Sequence, residues 1–334
     1  MRMKFWSLIT AVFVLMALLL AVPMLTACGG DEEPTSEPAP TAAPEPEPTT
    51  EPEVAEFDVV KAAVASYTAS PAPDIMAADL QLMIAEGDAP YIVSLRKAED
   101  YAKGHIPGAV NMAFGEITTL PMDEEILVYC YTGQSAAYAT ATLSTLGYDV
   151  INLKHGMSSW SCEEDIYVTR FDAAKNQGDY KVETDVPTPG SYDPPALENT
   201  ASSDADDIVL AAAKTVSDKY ILASDLNMKI AEDEDMTIIS CRSAADYAAG
   251  HIPGAINIGL GALVDNLDKI DPDNPVYVYC YTGHGAARGA ALLQMLGYDA
   301  YSLKFGMCSW SSDPAINAGE CYSADMCQGY ATEK

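Results

Sequence analysis

The chain repeats itself, and each copy carries a cysteine at the same place. One copy reads Val128-Tyr129-Cys130-Tyr131-Thr132-Gly133-Gln134-Ser135-Ala136, and the other Val278-Tyr279-Cys280-Tyr281-Thr282-Gly283-His284-Gly285-Ala286. In each, a short β-branched and aromatic run (Ile126 to Tyr129; Val276 to Tyr279) stops at the cysteine. Small and polar residues follow, then an alanine-rich segment ending at Leu146-Gly147 or Leu296-Gly297. That order is strand, tight loop, helix, and it puts each sulfur at a strand's carboxyl end, facing a helix amino terminus. The amides of such a loop converge on one point and the helix dipole adds positive potential there. A thiol so placed should ionise more readily than a free one and act as a nucleophile. A buried structural cysteine is the bland reading. The duplicated position at a strand–helix junction, with glycine three residues on, favours chemistry.

The repeat extends in both directions. Asp58 to Ala63 answers Asp207 to Ala212 as a leading helix, and Ala77 to Leu80 answers Ala223 to Leu226 as a second. Tyr91-Ile92-Val93 and Thr237-Ile238-Ile239 read as short buried strands. Ser94-Leu95-Arg96 pairs with Ser240-Cys241-Arg242, and Asp100 to Ala109 with Asp246 to Ala255, both containing Gly-His-Ile-Pro-Gly-Ala. Last strands are expected over 149–153 and 299–303, before Lys154 to Trp160 and Lys304 to Trp310. Helices between short apolar strands imply an α/β fold with a parallel sheet covered on both faces, built twice.

At 334 residues there is room for two such domains plus tails. The net charge of −31 and the lack of a basic patch argue against nucleic acid as a partner. Eight cysteines are too scattered for a disulfide scaffold, and none has zinc-site spacing with histidine, so no metal and no cofactor is expected. Residues 1–28 form a targeting segment: Arg2 and Lys4, an apolar core from Trp6 to Met24, then Leu25-Thr26-Ala27-Cys28. That ending resembles the lipobox of bacterial lipoproteins, which implies cleavage and lipidation at Cys28; an uncleaved membrane helix is the alternative. Residues 29–56, nearly all Pro, Glu, Thr and Ala, are too polar to fold and read as a disordered acidic tether. The expected order is therefore an extracytoplasmic, lipid-anchored chain. It carries a first domain over 57–162, a connector over 163–205, a second domain over 206–312 and a tail over 313–334.

Ser-X-Arg, Asp-Tyr-X-X-Gly-His-Ile-Pro-Gly-Ala-X-Asn, Tyr-Cys-Tyr-Thr-Gly, Leu-Gly-Tyr-Asp and Gly-Met-X-X-Trp, in that order, resemble the rhodanese family of sulfurtransferases. The resemblance implies a doubly wound α/β domain in each copy. It also implies that Cys130 and Cys280 take up sulfane sulfur as persulfides from a small sulfur anion or persulfide donor and pass it to a thiophilic acceptor such as a thiol. The chain departs from the family in having Ser94 and Ser240 where Asp usually precedes X-Arg. At the sixth loop position, where many active members have Arg, it has Ser135 and Gly285. The loops lack the basic residues of thiosulfate-using members: Gln134 and Ser135 are neutral, and His284 titrates near neutrality. Both cysteines are retained, whereas two-domain members keep only the second. These departures bear on thiosulfate specificity, not on the capacity to form a persulfide. A carrier or binding module that holds sulfane sulfur or an anion with little turnover is the competing function. A phosphatase would need Arg where Ala136 and Ala286 close the loops, and a dithiol oxidoreductase would need Cys-X-X-Cys.

Around the cysteines, Thr132 or Thr282 could donate a further hydrogen bond, and Tyr131 and Tyr281 are expected to wall the pocket. His105 and His251 read as pins of the Gly-His-Ile-Pro-Gly turn rather than as bases. Arg96 and Arg242 read as buried organisers of that turn which also add positive potential. Arg288, with His284, should make the second domain the better anion site, since Tyr138 stands opposite Arg288 in the first copy. Cys241 and Cys308 fall near the carboxyl edge of the second sheet, where a structural role, a disulfide or a resolving role toward Cys280 are all open. The pairing of Cys162 is open too. Cys321 and Cys327, six apart, could close a local disulfide in an oxidising compartment.

Overall fold

Apolar runs of about four residues set two sheets, and these are buried on both faces as parallel strands require. The computed structural model describes residues 55–334; the targeting segment, Cys28 and nearly all of the expected tether lie outside the described residues. The first repeat runs α1 (Glu56–Ala69), β1 (Asp74–Ile75), α2 (Ala77–Glu86), β2 (Tyr91–Ser94), α3 (Ala98–Tyr101), β3 (Val110–Asn111), β4 (Ile126–Tyr129), α4 (Gln134–Thr145), β5 (Val150–Leu153) and α5 (Met157–Trp160). Two short helices follow, α6 (Glu164–Tyr167) and α7 (Ala173–Asn176). The second repeat runs α8 (Ala205–Ala213), β6 (Tyr220–Ile221), α9 (Ala223–Ala231), β7 (Thr237–Ser240), α10 (Ala244–Ala249), β8 (Ile256–Asn257), β9 (Val276–Tyr279), α11 (His284–Met295), β10 (Ala300–Leu303), α12 (Met307–Trp310) and α13 (Pro314–Asn317). All pairings in the two sheets are parallel, in the orders β1-β5-β4-β2-β3 and β6-β10-β9-β7-β8. In each sheet the strand bearing the cysteine at its end is central, which puts both sulfurs at a doubly covered rim.

The two repeats share a core. α4 packs along α11 and α1 along α8. The alanines of those helices, among them Ala136, Ala139, Ala287 and Ala290, bring the backbones close, while Val60, Leu143, Leu292 and Ile208 fill the space around them. Each fully buried Leu or Ile there contributes roughly 2 kcal/mol. Smaller cores under the outer faces hold Trp160 and Trp310, both fully buried. The expected tether boundary moves by a residue or two. Glu56 already begins α1, because its buried carboxylate accepts hydrogen bonds from the amides of Asn199 and Thr200 at 2.8 and 3.0 Å.

The connector and tail do more than link and finish. Residues 178–183, which follow the first repeat, pack on the second: Tyr180 N donates to Trp310 O at 2.9 Å, and Glu183 and His251 exchange both backbone hydrogen bonds. Residues 328–333, which follow the second, pack on the first in the same way, through Tyr330 N to Trp160 O at 3.0 Å and Glu333 with His105. Each tryptophan indole donates to the strap beside it, Trp160 to Ala331 O and Trp310 to Lys181 O, both at 2.9 Å. The proposed Cys321–Cys327 pairing is corrected by this exchange. Cys327 bonds Cys162 and so ties the second strap to the first repeat, while Cys321 bonds Cys308 of α12. The tail passes over two different repeats, and that separates cysteines that are only six apart in sequence.

Candidate active site

Each cysteine loop leaves its strand, turns at a glycine and enters a helix. Gly133 (φ 80°) and Gly283 (φ 91°) stand at the turns, in the left-handed region where glycine costs least. The turn aims amides at the sulfur: Thr132, Gly133, Ser135 and Ala136 at Cys130, and Thr282, Gly283 and Ala286 at Cys280. Gly283 N lies 3.1 Å from Cys280 Sγ. The two thiols nevertheless diverge. Burial pushes the Cys130 thiol up, and the loop amides do not overcome it. Cys280 is drawn down to about 6, chiefly by hydrogen bonding from the neighbouring Cys241 thiol, with its loop amides adding to that against the opposing cost of burial. The neighbouring Cys241 thiol, which has no counterpart beside Cys130, sets the two apart.

The loops face one another across the shared core. His284 Nε2 lies 3.0 Å from Thr132 O, and its Nδ1 2.8 Å from Thr282 Oγ1. The mirror-image contacts are His155 N to His284 Nε2 and Phe305 N to Gln134 Oε1, both at 3.3 Å. A side chain on Gly133 would collide with His284 Nε2 at 2.7 Å, and one on Gly283 with Gln134 Oε1 at 2.8 Å. Between the loops lies a small cavity of about 10 Å³, room for roughly one water, lined by Thr132, Gln134, His155, Thr282, His284 and Phe305 among others. Cys130 and Cys280 are not among its lining and are only 2% and 6% exposed.

The second domain is not the anion site expected of it. Arg288 is buried and ion-paired to Asp74 of the first repeat at 2.6 Å, so its charge is already matched. Burial holds His284 down to about 4, so it is neutral where it meets the first loop. Tyr131 and Tyr281 do not line the cavity either. Their hydroxyls are bound to Asp100 and Asp246, and they clamp the loops to the helices before the Gly-His-Ile-Pro turns. Arg96 donates to the carbonyls of Gly104, Asp100 and Ile166, and Arg242 to those of Gly250 and Ile316, which places both inside the turn. His105 and His251 stack on Tyr101 and Tyr247, and their Nδ1 atoms meet the carbonyls of those tyrosines. Ser135 Oγ reaches Tyr220 OH at 3.0 Å, a contact that Gly285, without a side chain, cannot make.

Sequence reasoning missed His155 and Phe305, which precede the glycines of Gly-Met-X-X-Trp with positive φ of 62° and 63° and close the cavity. It missed the straps as well, although Gln177-Gly178-Asp179-Tyr180 and Gln328-Gly329-Tyr330, each followed within a few residues by Glu183 or Glu333, were a repeat to be read.

The Rhodanese-like domain family matches residues 76–163 and 222–313, more than half of the chain. The chain belongs to the rhodanese-like family. A sulfurtransferase of Allochromatium vinosum is 27% identical over 90 residues, covering 27% of this chain and 84% of that protein. The thiosulfate sulfurtransferase GlpE of Pseudomonas fluorescens is 35% identical over 79 residues, covering 23% of this chain and 72% of its own. A Bacillus subtilis relative is 31% identical over 101 residues, 29% of this chain, and the match spans only 55% of that relative's length. Among solved structures, a rhodanese-like domain protein of Staphylococcus aureus is 29% identical over 28% of this chain and 90% of its own, with a TM-score of 0.27. The rhodanese-like matches begin after α1 and stop before both straps, so α1, Asp74 and the straps lie outside them.

Proposed function

We propose that the protein is a sulfurtransferase that moves sulfane sulfur through a persulfide on Cys280, with Cys130 as a second and less readily ionised acceptor. The observation that carries this is the Cys280 sulfur itself, held at the carboxyl end of β9 by converging amides and drawn to about 6. As a thiolate it attacks the outer sulfur of the donor; one sulfur–sulfur bond forms, the donor's bond breaks, and the donor leaves with the electron pair. The acceptor nucleophile then attacks that outer sulfur, and Cys280 leaves as a thiolate under the same amides. The names of the Allochromatium and Pseudomonas relatives support the reaction class. Arg288 and His284 offer no free positive charge, which suits a protein persulfide better than a small dianion such as thiosulfate.

A second reading, a sulfane-sulfur carrier with little turnover, is favoured by the burial of both sulfurs behind facing loops. Intact-mass analysis after exposure to polysulfide, followed by transfer to cyanide, separates the two. One added sulfur on Cys280 that leaves as thiocyanate with turnover supports the enzyme; sulfur that loads but does not turn over supports the carrier. A Cys280 that neither holds added sulfur nor releases any as thiocyanate or sulfide overturns both.

Export and lipid anchoring at Cys28 form part of the proposal. They rest on the basic start, apolar core and lipobox-like ending, and are supported by the Cys162–Cys327 and Cys308–Cys321 disulfides, which suit an oxidising compartment. Metabolic labelling with a palmitate analogue, lost in Cys28→Ala, tests it; equal labelling of that variant would rule out lipidation at this residue.

A further inference from the structure

The second repeat holds a thiol the first does not. In the parallel register of β7 and β9, Ser240 pairs with Tyr279, so Cys241 and Cys280 are the next residues of neighbouring strands. The Cys241 amide donates to Tyr279 O at 2.9 Å, and its Sγ lies 3.2 Å from the same carbonyl, so its one proton serves either that oxygen or the Cys280 thiolate. Adjacent strands stand about 4.8 Å apart, inside the Cα separation that a disulfide spans. Both sulfurs face Gly285: a Cβ placed there would lie 3.7 Å from Cys280 Sγ and 3.9 Å from Cys241 Sγ. Four of the other cysteines are bonded to one another, and the free ones among the described residues are Cys130, Cys241 and Cys280. In the first repeat the corresponding neighbour of Cys130 is Leu95, whose amide donates to Tyr129 O at 2.8 Å.

We propose that Cys241 is the resolving thiol of the second domain, which makes that domain a persulfide reductase that releases sulfide. The assignment rests on the persulfide reading of Cys280. Cys241 sulfur attacks Cys280 Sγ, the inner sulfur of the persulfide. The Cys241–Cys280 bond forms, the bond to the outer sulfur breaks, and hydrosulfide leaves with the electron pair, taking the Cys241 proton as H₂S. The sulfane sulfur is reduced and the two cysteines are oxidised to a disulfide. An external dithiol, a reductant outside the chain, reopens it and restores both thiols. The first domain, with Leu95 beside Cys130, has no such step and can only pass sulfur on intact. Two copies of one fold would thus divide the labour, one transferring sulfane sulfur and the other discharging it.

The test loads the full chain, Cys241→Ser and Cys241→Leu with inorganic polysulfide, removes the excess, and follows free sulfide together with the mass of the Cys241 and Cys280 peptides. Serine keeps a hydroxyl donor beside Cys280, and leucine copies the first repeat. The parent chain is expected to release about one sulfide per chain without added thiol and to yield a cross-linked Cys241–Cys280 peptide that a dithiol reopens. Both variants should keep an extra sulfur on the Cys280 peptide and release several-fold less sulfide. A persulfide on Cys280 that persists equally in the parent and the variants overturns this assignment alone. A Cys280 that takes no sulfur even in Cys241→Ser overturns both the assignment and the sulfur-transfer reading. Because the cross-linked peptide is sought in the parent chain, the outcome does not depend on either variant folding.

Discussion

His284 of the second loop lies with its Nε2 3.0 Å from the carbonyl oxygen of Thr132 in the first. The same Nε2 lies 3.3 Å from the His155 amide, a donor, so it faces one acceptor and one donor of the first repeat, while Nδ1 lies 2.8 Å from Thr282 Oγ1. The ring is therefore a neutral bridge between the two cysteine loops. It stands edge-on to His155, with ring centroids 5.1 Å apart.

That bridge should fail in acid. Burial holds His284 down to about 4 and His155 down to about 3, against an ordinary 6.5 in the unfolded chain. The unfolded chain takes up protons first as pH falls, so the stability these groups contribute is full above 6.5 and is lost toward 4 and below. Urea unfolding followed across that range should show the loss, and His284→Gln, which copies Gln134, should make it shallower. An unchanged pH profile in the variant would remove His284 from the account.

Gly133 and Gly108 separate backbone strain from crowding. Both have positive φ, 80° and 76°, but a Cβ on Gly108 meets nothing within 4 Å, whereas one on Gly133 meets His284 Nε2 at 2.7 Å. Gly108→Ala is expected to cost about 1 kcal/mol, the usual penalty for the left-handed region. Gly133→Ala should cost about 2 to 4 kcal/mol, since overpacking adds to it. Equal losses in denaturant unfolding would mean that neither His284 nor the backbone of Leu153 and His155, 2.9 and 2.8 Å from that Cβ, crowds the turn as the structure has it.

The two loop thiols should titrate apart. Pulled to about 6 mainly by the Cys241 thiol, Cys280 should be alkylated in weakly acidic solution. Cys130, raised by its burial, should stay protonated through neutrality. Peptide mapping of iodoacetamide adducts against pH reads each separately. Cys241→Leu removes the donor and should shift the Cys280 midpoint up by about one unit or more; no shift would leave the loop amides as the whole cause.

Much of this was legible in the chain. The runs Ile126–Tyr129 and Val276–Tyr279, each stopping at cysteine, fixed the strand–loop–helix order, and Gly-His-Ile-Pro-Gly marked the turn that Arg96 and Arg242 now hold. What one repeat does to the other was not legible. Arg288 looked like an unmatched cation because Asp74, its partner, lies 214 residues away in the other domain. His284 looked titratable because its burial is supplied by the first loop. Cys327 looked like a partner for Cys321 because sequence proximity does not show that the tail crosses onto Trp160. Local pattern reports local structure; it is blind to pseudo-twofold packing that makes each site partly from its neighbour.

Arg288 and Asp74 give that packing an electrostatic test. The pair is 2.6 Å apart, with side chains 10% and 28% exposed. Removing the carboxylate strands a buried guanidinium, so Asp74→Ala should cost about 2 to 4 kcal/mol. Replacing Arg288 by Met leaves only a part-exposed Asp74 and should cost less. The double variant should be more stable than the sum predicts, by about 1 kcal/mol or more. Additive losses in denaturant unfolding would show that the pair is formed but energetically idle.

The two disulfides test whether the exchanged straps hold the fold together. Cys162–Cys327 closes a separation of 165 residues and Cys308–Cys321 one of 13. If the bonds act by restricting the unfolded chain, the longer loop should contribute roughly 2 kcal/mol more than the shorter. Cys162→Ser with Cys327→Ser should therefore lower stability more than Cys308→Ser with Cys321→Ser, and it should do so with a local signature. The amides of His105 and Tyr330, bonded to Glu333 O and Trp160 O, should lose hydrogen-exchange protection first, while Glu183 and His251 on the other strap keep theirs. The opposite order of stability would mean that local contacts outweigh loop entropy, because Cys308 and Cys321 belong to the small cluster that Phe171, Phe305 and Tyr322 build beside the cavity.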